Sequence, residues 1–117
     1  MTQFNYFVGA DIASASFMAC VGAAPWNLVV KPVKFDNLED GFGTFLDWLK
    51  EYNLTPENTV ICMEATGVYG EGLAYFLYAH QYAVAVEPPL NIQRKFPANA
   101  SKTDWLDCQY IAEYACR

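Results

Sequence analysis

The hydrophobic positions of this chain follow two different rhythms. Up to Phe35 they gather in three short runs, FNYFVGADI, SFMACVGAA and WNLVVKPVKF, rich in β-branched and aromatic residues. Short links join the runs, with Pro25 close to the end of the second, so three strands of an antiparallel meander are predicted. Pro32 lies inside the third run. Proline has no N–H for a ladder, which predicts an edge strand or a bulge there. In NLEDGFGTFLDWLKEY the rhythm changes: Leu38, Phe42, Phe45, Leu46 and Leu49 recur at helical spacing, with acids early and Lys50 late. NTVICME is short and almost wholly apolar, as expected of a strand covered on both faces of a sheet. YGEGLAYFLYAHQ predicts a helix, and YAVAVEP a further buried strand stopped by Pro88 and Pro89. LNIQRKFPANASK fits a short helix followed by a loop, and TDWLDCQYIAEYACR predicts a helix running to the end of the chain.

The resulting order, β-β-β-α-β-α-β-α, predicts an α/β domain with a central mixed five-stranded sheet and helices on both faces. It is the order of a ribonuclease-H-like fold. The 117 residues amount to one domain, without internal repeat or low-complexity segment. The chain stops at its last helix, which predicts a fragment of a longer protein.

Composition narrows the partners. A hydrophobic content of 54% fits a folded globule, and no apolar run approaches the roughly 20 residues of a membrane span. The start, MTQFNYFVGAD, has no basic stretch or cleavage site of a signal peptide, so a cytoplasmic protein is expected. Cys20, Cys62, Cys108 and Cys116 are scattered, without a C-x-x-C pair, and read as reduced, mostly buried thiols. With His80 as the sole histidine they make a poor zinc set. The net charge of −6 weighs most. A self-sufficient nucleic-acid binder is usually basic, because it must replace phosphate counterions. Either this chain does not touch nucleic acid, or its acids in part serve divalent cations and its basic surface lies elsewhere.

Four acids suit the second option. Asp11 interrupts the end of the first strand, and Glu64 closes the strand Val60–Met63. If those strands are adjacent and parallel, both carboxylates emerge at the end where open α/β sheets bind ligands. Close carboxylates repel, so one takes a proton or both share a cation. Oxygen-only ligation suits Mg²⁺ or Mn²⁺. Asp104 and Asp107, spaced i and i+3, share one face of the last helix and can complete the set. Such a cage can hold two ions about 4 Å apart for phosphodiester cleavage. Each acid also has an ordinary explanation. SKTD matches a capping box with Ser101 as N-cap, first-turn acids offset the helix dipole, Asp11 can terminate a strand, and Glu64 can face solvent.

The segments VGADIASASFMACV, VICMEATGVYGEGLAYFLYAHQYAVAVEPP and ASKTDWLDCQYIAEYA resemble the N-terminal domain of DEDD transposases of the insertion-sequence-110 family, to which Piv-type DNA invertases belong. The resemblance runs over nearly the whole chain. It implies a RuvC-like catalytic domain whose acidic tetrad, here Asp11, Glu64, Asp104 and Asp107, coordinates Mg²⁺ or Mn²⁺ for DNA cleavage and recombination. It also implies a C-terminal domain with a serine nucleophile, absent from this sequence. Its further implications are DNA as substrate, a guide RNA from the same element, a homo-oligomeric full-length protein and a bacterial or archaeal host. The family commonly shows Asp-x-Ser-Lys after the first strand, whereas Asp11 here is followed by Ile12, Ala13 and Ser14. The lysine and any phosphate contact it makes are missing.

Other residues carry weaker signals. EATGVYGEG opens a helix as anion-binding loops do, but it lacks the Gly-Lys-Ser/Thr ending of a nucleotide loop. Gly67, Tyr69 and Gly70 read as a sharp strand-to-helix turn, with Tyr69 able to stack on a base or sugar. Arg94, Lys95 and Lys102 are candidate phosphate contacts or a solvated surface run. His80 reads as a surface residue, and Trp26, Trp48 and Trp105 as core or interface positions. Two rival functions remain: a stand-alone nuclease of the Holliday-junction-resolvase type using the same acids, and a non-catalytic actin- or sugar-kinase-like domain.

Overall fold

The computed structural model describes residues 4–64, 67–87 and 104–116, with only the helical backbone for 104–107. Strands Tyr6–Ile12 (β1), Ser16–Ala23 (β2) and Asn27–Asp36 (β3) lead into helix Glu39–Glu51 (α1) and strand Thr59–Glu64 (β4). A 3-10 turn at Gly67–Gly70 opens helix Glu71–Ala79 (α2), and strand Ala83–Glu87 (β5) and helix Asp104–Cys116 (α3) follow. The sheet order is β3-β2-β1-β4-β5. The first three strands pair antiparallel, while β1–β4 and β4–β5 are parallel. This is the mixed five-stranded arrangement expected from the sequence.

Of the two alternatives expected from Pro32, edge strand or bulge, both are present. β3 is an edge strand. Ala19 pairs with Val33 and Val21 with Val30, so Lys31 and Pro32 stand together against Cys20, a bulge that spares proline a ladder bond. The expectation for YAVAVEP needs correction. β5 is the other edge rather than a fully buried strand; its residues are half-buried and Val86 is 48% exposed. A five-residue strand with β4 as its one sheet neighbour among the described residues gains cover only from the helices. The segment expected as a short helix and loop, 90–102, lies outside the described residues.

The faces of the sheet are covered differently. Val8, Ala10 and Ile12 of β1, Phe17 and Ala19 of β2, and Ile61 and Met63 of β4 face α1 and α2. The predicted helical stripe of α1 is what it buries: Phe42, Phe45, Leu46 and Leu49. Phe17, Phe35, Phe45 and Trp48 interlock there at centroid separations of 5.1–5.6 Å, a geometry worth more than area alone. The opposite face is paved with small residues. Cys20 packs with Cys108 and Ala112, and Cys62 with Ile111, so α3 sits close against the sheet.

Candidate functional site

The β1–β4 ladder runs from Tyr6 opposite Thr59 to Ala10 opposite Met63. The next residues on each strand are Asp11 and Glu64, both half-buried. Alternation along β1 turns Ala10 and Ile12 toward α1 and α2, so Asp11 shares the face of Gly9, under α3. Glu64 follows Cys62 on that same face. Neighbouring strands lie about 4.8 Å apart, which makes these two carboxylates adjacent at the carboxyl ends of parallel strands.

The seat of α3 brings its first turn to this end. A Cβ on Gly9 would lie 2.1 Å from the carbonyl oxygen of Cys108 and 2.4 Å from the amide nitrogen of Ala112. The helix therefore rests directly on β1. At its far end the Cys116 thiol donates to the carbonyl of Pro25, 2.9 Å away, in the turn next to the start of β1. The helix thus runs antiparallel to β1. Positions 104 and 107 precede Cys108 and Ile111 by four residues each, about 6 Å of rise. From Gly9 to Asp11 is about 6.6 Å of strand. The helical backbone of 104 and 107 consequently stands at the level of Asp11 and Glu64. The side chains at 104, 105 and 107 are outside the description. Among the described residues no group of three His, Cys, Asp or Glu side chains gathers to hold an ion.

One acid escaped the sequence reading. Glu87 ends β5 opposite Glu64, extending the row to three strands. The Tyr114 hydroxyl of α3 donates a hydrogen bond to it, and burial, then the Glu87 charge, raises the tyrosine pKa above its usual 10.0. The signal was available: YAVAVE ends on a glutamate as TVICME does, but the following prolines drew the reading toward a strand stop. Beneath this row Cys62 is 1% exposed. Burial first, then the charges of Glu87 and Glu64, push its thiol up to about 12.

The other candidates are dispersed. Tyr69 is exposed in the 3-10 turn and lines a groove with Ser14, Asn37 and Tyr75 on the α1–α2 side of the sheet. Gly67 has φ +67, the conformation expected of a glycine in a sharp turn, whereas Gly70 has φ −91 and a Cβ there would stand 3.3 Å from the Met63 sulfur, which a small shift of that side chain accommodates. His80 caps the end of α2, exposed, with its ring 4.6 Å from Phe76. Trp26 packs over Gly22 and Trp48 joins the aromatic core. Ser101, Arg94, Lys95 and Lys102 lie outside the described residues.

Comparison with known proteins agrees with this fold. Pilin gene-inverting proteins of Moraxella bovis and Moraxella lacunata are each 29% identical over 114 residues, covering 95% of this chain and 34% of theirs. The chain thus spans about a third of the length of these curated relatives. Among solved structures, T. thermophilus RuvC in complex with a Holliday junction substrate superposes with a TM-score of 0.69 at 11% identity, over 95% of this chain and 92% of that one. That likeness shows the ribonuclease-H-like fold. The model of the DEDD transposase family of insertion-sequence-110 type matches residues 8–117, and the chain belongs to that family.

Proposed function

We propose that this chain is the metal-dependent catalytic domain of an insertion-sequence transposase or site-specific DNA recombinase, with Asp11, Glu64, Asp104 and Asp107 as its acidic tetrad. The observation that carries the reading is the placement of Asp11 beside Glu64 at the ends of two parallel strands, beneath a helix whose first turn stands at the same end. Carboxylates are the hard oxygen donors that Mg²⁺ and Mn²⁺ take. Cys62, buried beneath the acids, offers a soft sulfur that these hard ions do not favour. Bound divalent cations supply activation of the attacking oxygen and stabilisation of the leaving one. The chain's own part is to hold four carboxylates in fixed positions on rigid elements, two on strand ends and two on one helical face. DNA as the substrate is supported by the relatives, named for inverting a gene, and by the junction bound to RuvC. A cytoplasmic setting follows from that substrate. The serine-bearing domain, guide RNA and homo-oligomer implied by the family resemblance belong to the longer protein on this reading.

Thermal melting with and without Mn²⁺ tests it. Ligation adds RT ln(1 + [L]/Kd), on the order of 1 kcal/mol for millimolar ion and weak affinity. Asp11→Asn relieves carboxylate repulsion, so its metal-free melting temperature should rise and its response to Mn²⁺ vanish. Wild type and variant melting alike under both conditions would refute the tetrad.

A further inference from the structure

The ladder between β1 and β4 stops at Ala10 and Met63, one residue short of the two acids. Asp11 and Glu64 therefore stand at a fork, where β1 turns back into β2 and β4 departs toward α2. The last rung, Ala10 opposite Met63, sets them side by side, and past that rung their separation depends also on whatever ties the two outgoing segments together. Asn37 does this from the junction between β3 and α1. Its side-chain nitrogen donates to the carbonyl of Ala13 at 2.8 Å and to the carbonyl of Tyr69 at 2.9 Å. Its backbone N–H donates to the carbonyl of Ala15 at 3.0 Å. Ala13 and Ala15 lie in the turn that follows Asp11, and Tyr69 in the turn that follows Glu64.

The chemistry of the contact is specific to an amide. All the partners of the side-chain nitrogen, a longer one at the Ser14 carbonyl 3.5 Å away included, are carbonyl oxygens, which settles its orientation, because the flipped amide would set oxygen against oxygen. Two N–H bonds on one nitrogen serve two segments at once, and no other side chain of this size offers that. Although Asn37 stands just before α1, Leu38 holds the N-cap position and no side-chain bond caps the helix. Its donors are spent on the fork instead.

We propose that Asn37 is a positioning residue for the acid pair, clamping the segments downstream of Asp11 and Glu64 and so setting the separation at which they share a cation. This rests on the metal-dependent reading above, and its test separates the two. Asn37→Asp keeps the shape and removes both donors, placing a carboxylate against two carbonyls; Asn37→Ala removes the group altogether and serves should the first variant fail to fold. Two quantities are read: hydrogen exchange at the amides of Ile12, Ala13 and Glu64, and the Mn²⁺ dissociation constant. Loss of the clamp opens the fork locally, so exchange there should quicken about tenfold more than at β2–β3 pairs such as Phe17–Phe35. Mn²⁺ affinity should fall about tenfold, the lower end of what losing a direct partner of a metal ligand costs, since Asn37 reaches the acids only through the backbone. A merely stabilising residue would quicken exchange across the whole sheet and leave affinity unchanged, and either result overturns the proposal. If wild type binds no Mn²⁺ the metal reading fails and with it the role assigned to Asn37, even where the exchange data still reveal the clamp.

Discussion

Gly9→Ala should unseat the last helix. The added Cβ would lie 2.1 Å from the Cys108 carbonyl oxygen and 2.4 Å from the Ala112 nitrogen, where a carbon–oxygen contact needs about 3.3 Å. One side or the other must retreat by about 1.2 Å. Neither can do so by changing a rotamer, since both atoms are helical backbone and Gly9 is held in β1 between β2 and β4. Overpacking of this kind costs about 1–3 kcal/mol, and rigid backbone on both sides argues for the upper part of that range. Reduced freedom of the unfolded chain returns about 0.4–1 kcal/mol. A net loss of about 2 kcal/mol remains, lowering the melting temperature by about 8 °C in a domain of this size. Urea denaturation would read it as a fall in midpoint at unchanged slope. Mn²⁺ affinity should fall as well, because the displaced helix carries positions 104 and 107. A variant that unfolds at the wild-type midpoint would refute the close seating of α3 on β1.

Gly43 provides the opposite case: it sits inside α1 with nothing within 4 Å of an added Cβ, so Gly43→Ala should raise stability by about 0.8–1 kcal/mol in the same urea assay. Cys62 should make the fold sensitive to alkali. Its thiol is pushed up to about 12 in the fold against an ordinary 9.0, so between those values the unfolded chain releases a proton that the folded chain keeps, and stability falls as pH rises, by at most about 1.4 kcal/mol per unit; Cys62→Ala should make the fall of the urea midpoint between pH 9 and 10 shallower, the remainder coming from Tyr82 and Tyr114, and an unchanged slope would contradict the assignment. The 117-residue chain, at net charge −6, should bind duplex DNA weakly and lose it at moderate salt. Mn²⁺ should strengthen that binding in wild type more than in Asp11→Asn, as a filter-binding titration would show.

Most of the fold was legible because its local signals agree with its global arrangement. Phe42, Phe45, Leu46 and Leu49 repeat at helical spacing, and they are the residues α1 buries. Pro32 pointed to an edge strand or a bulge, and the chain shows both. β5 was misjudged for a physical reason. An apolar run shows that a strand avoids water, not how many neighbours it has, and YAVAVEP looks no different at an edge from NTVICME in the interior. Gly9 was equally silent, since the need for a missing Cβ arises from Cys108 and Ala112, about a hundred residues away in sequence.

The site was legible only in part, for a related reason. Asp11 and Glu64 stood out because each breaks an apolar run, which is a one-dimensional signal. Asn37 did not, because an asparagine before a helix already has a local explanation, and only the fold reveals that its donors serve Ala13 and Tyr69 instead. Asp104 and Asp107 have a local explanation too, as acids offsetting the dipole of α3. Magnitudes separate it from the alternative. The positive end of a helix amounts to about half an elementary charge, ample for one neighbouring acid. On the proposed reading that end meets four carboxylates, with Glu87 beside them already engaged by Tyr114. Half a positive charge offsets only a fraction of four negative ones, so the proposed tetrad calls for more than the helix dipole, and on that reading divalent cations supply it.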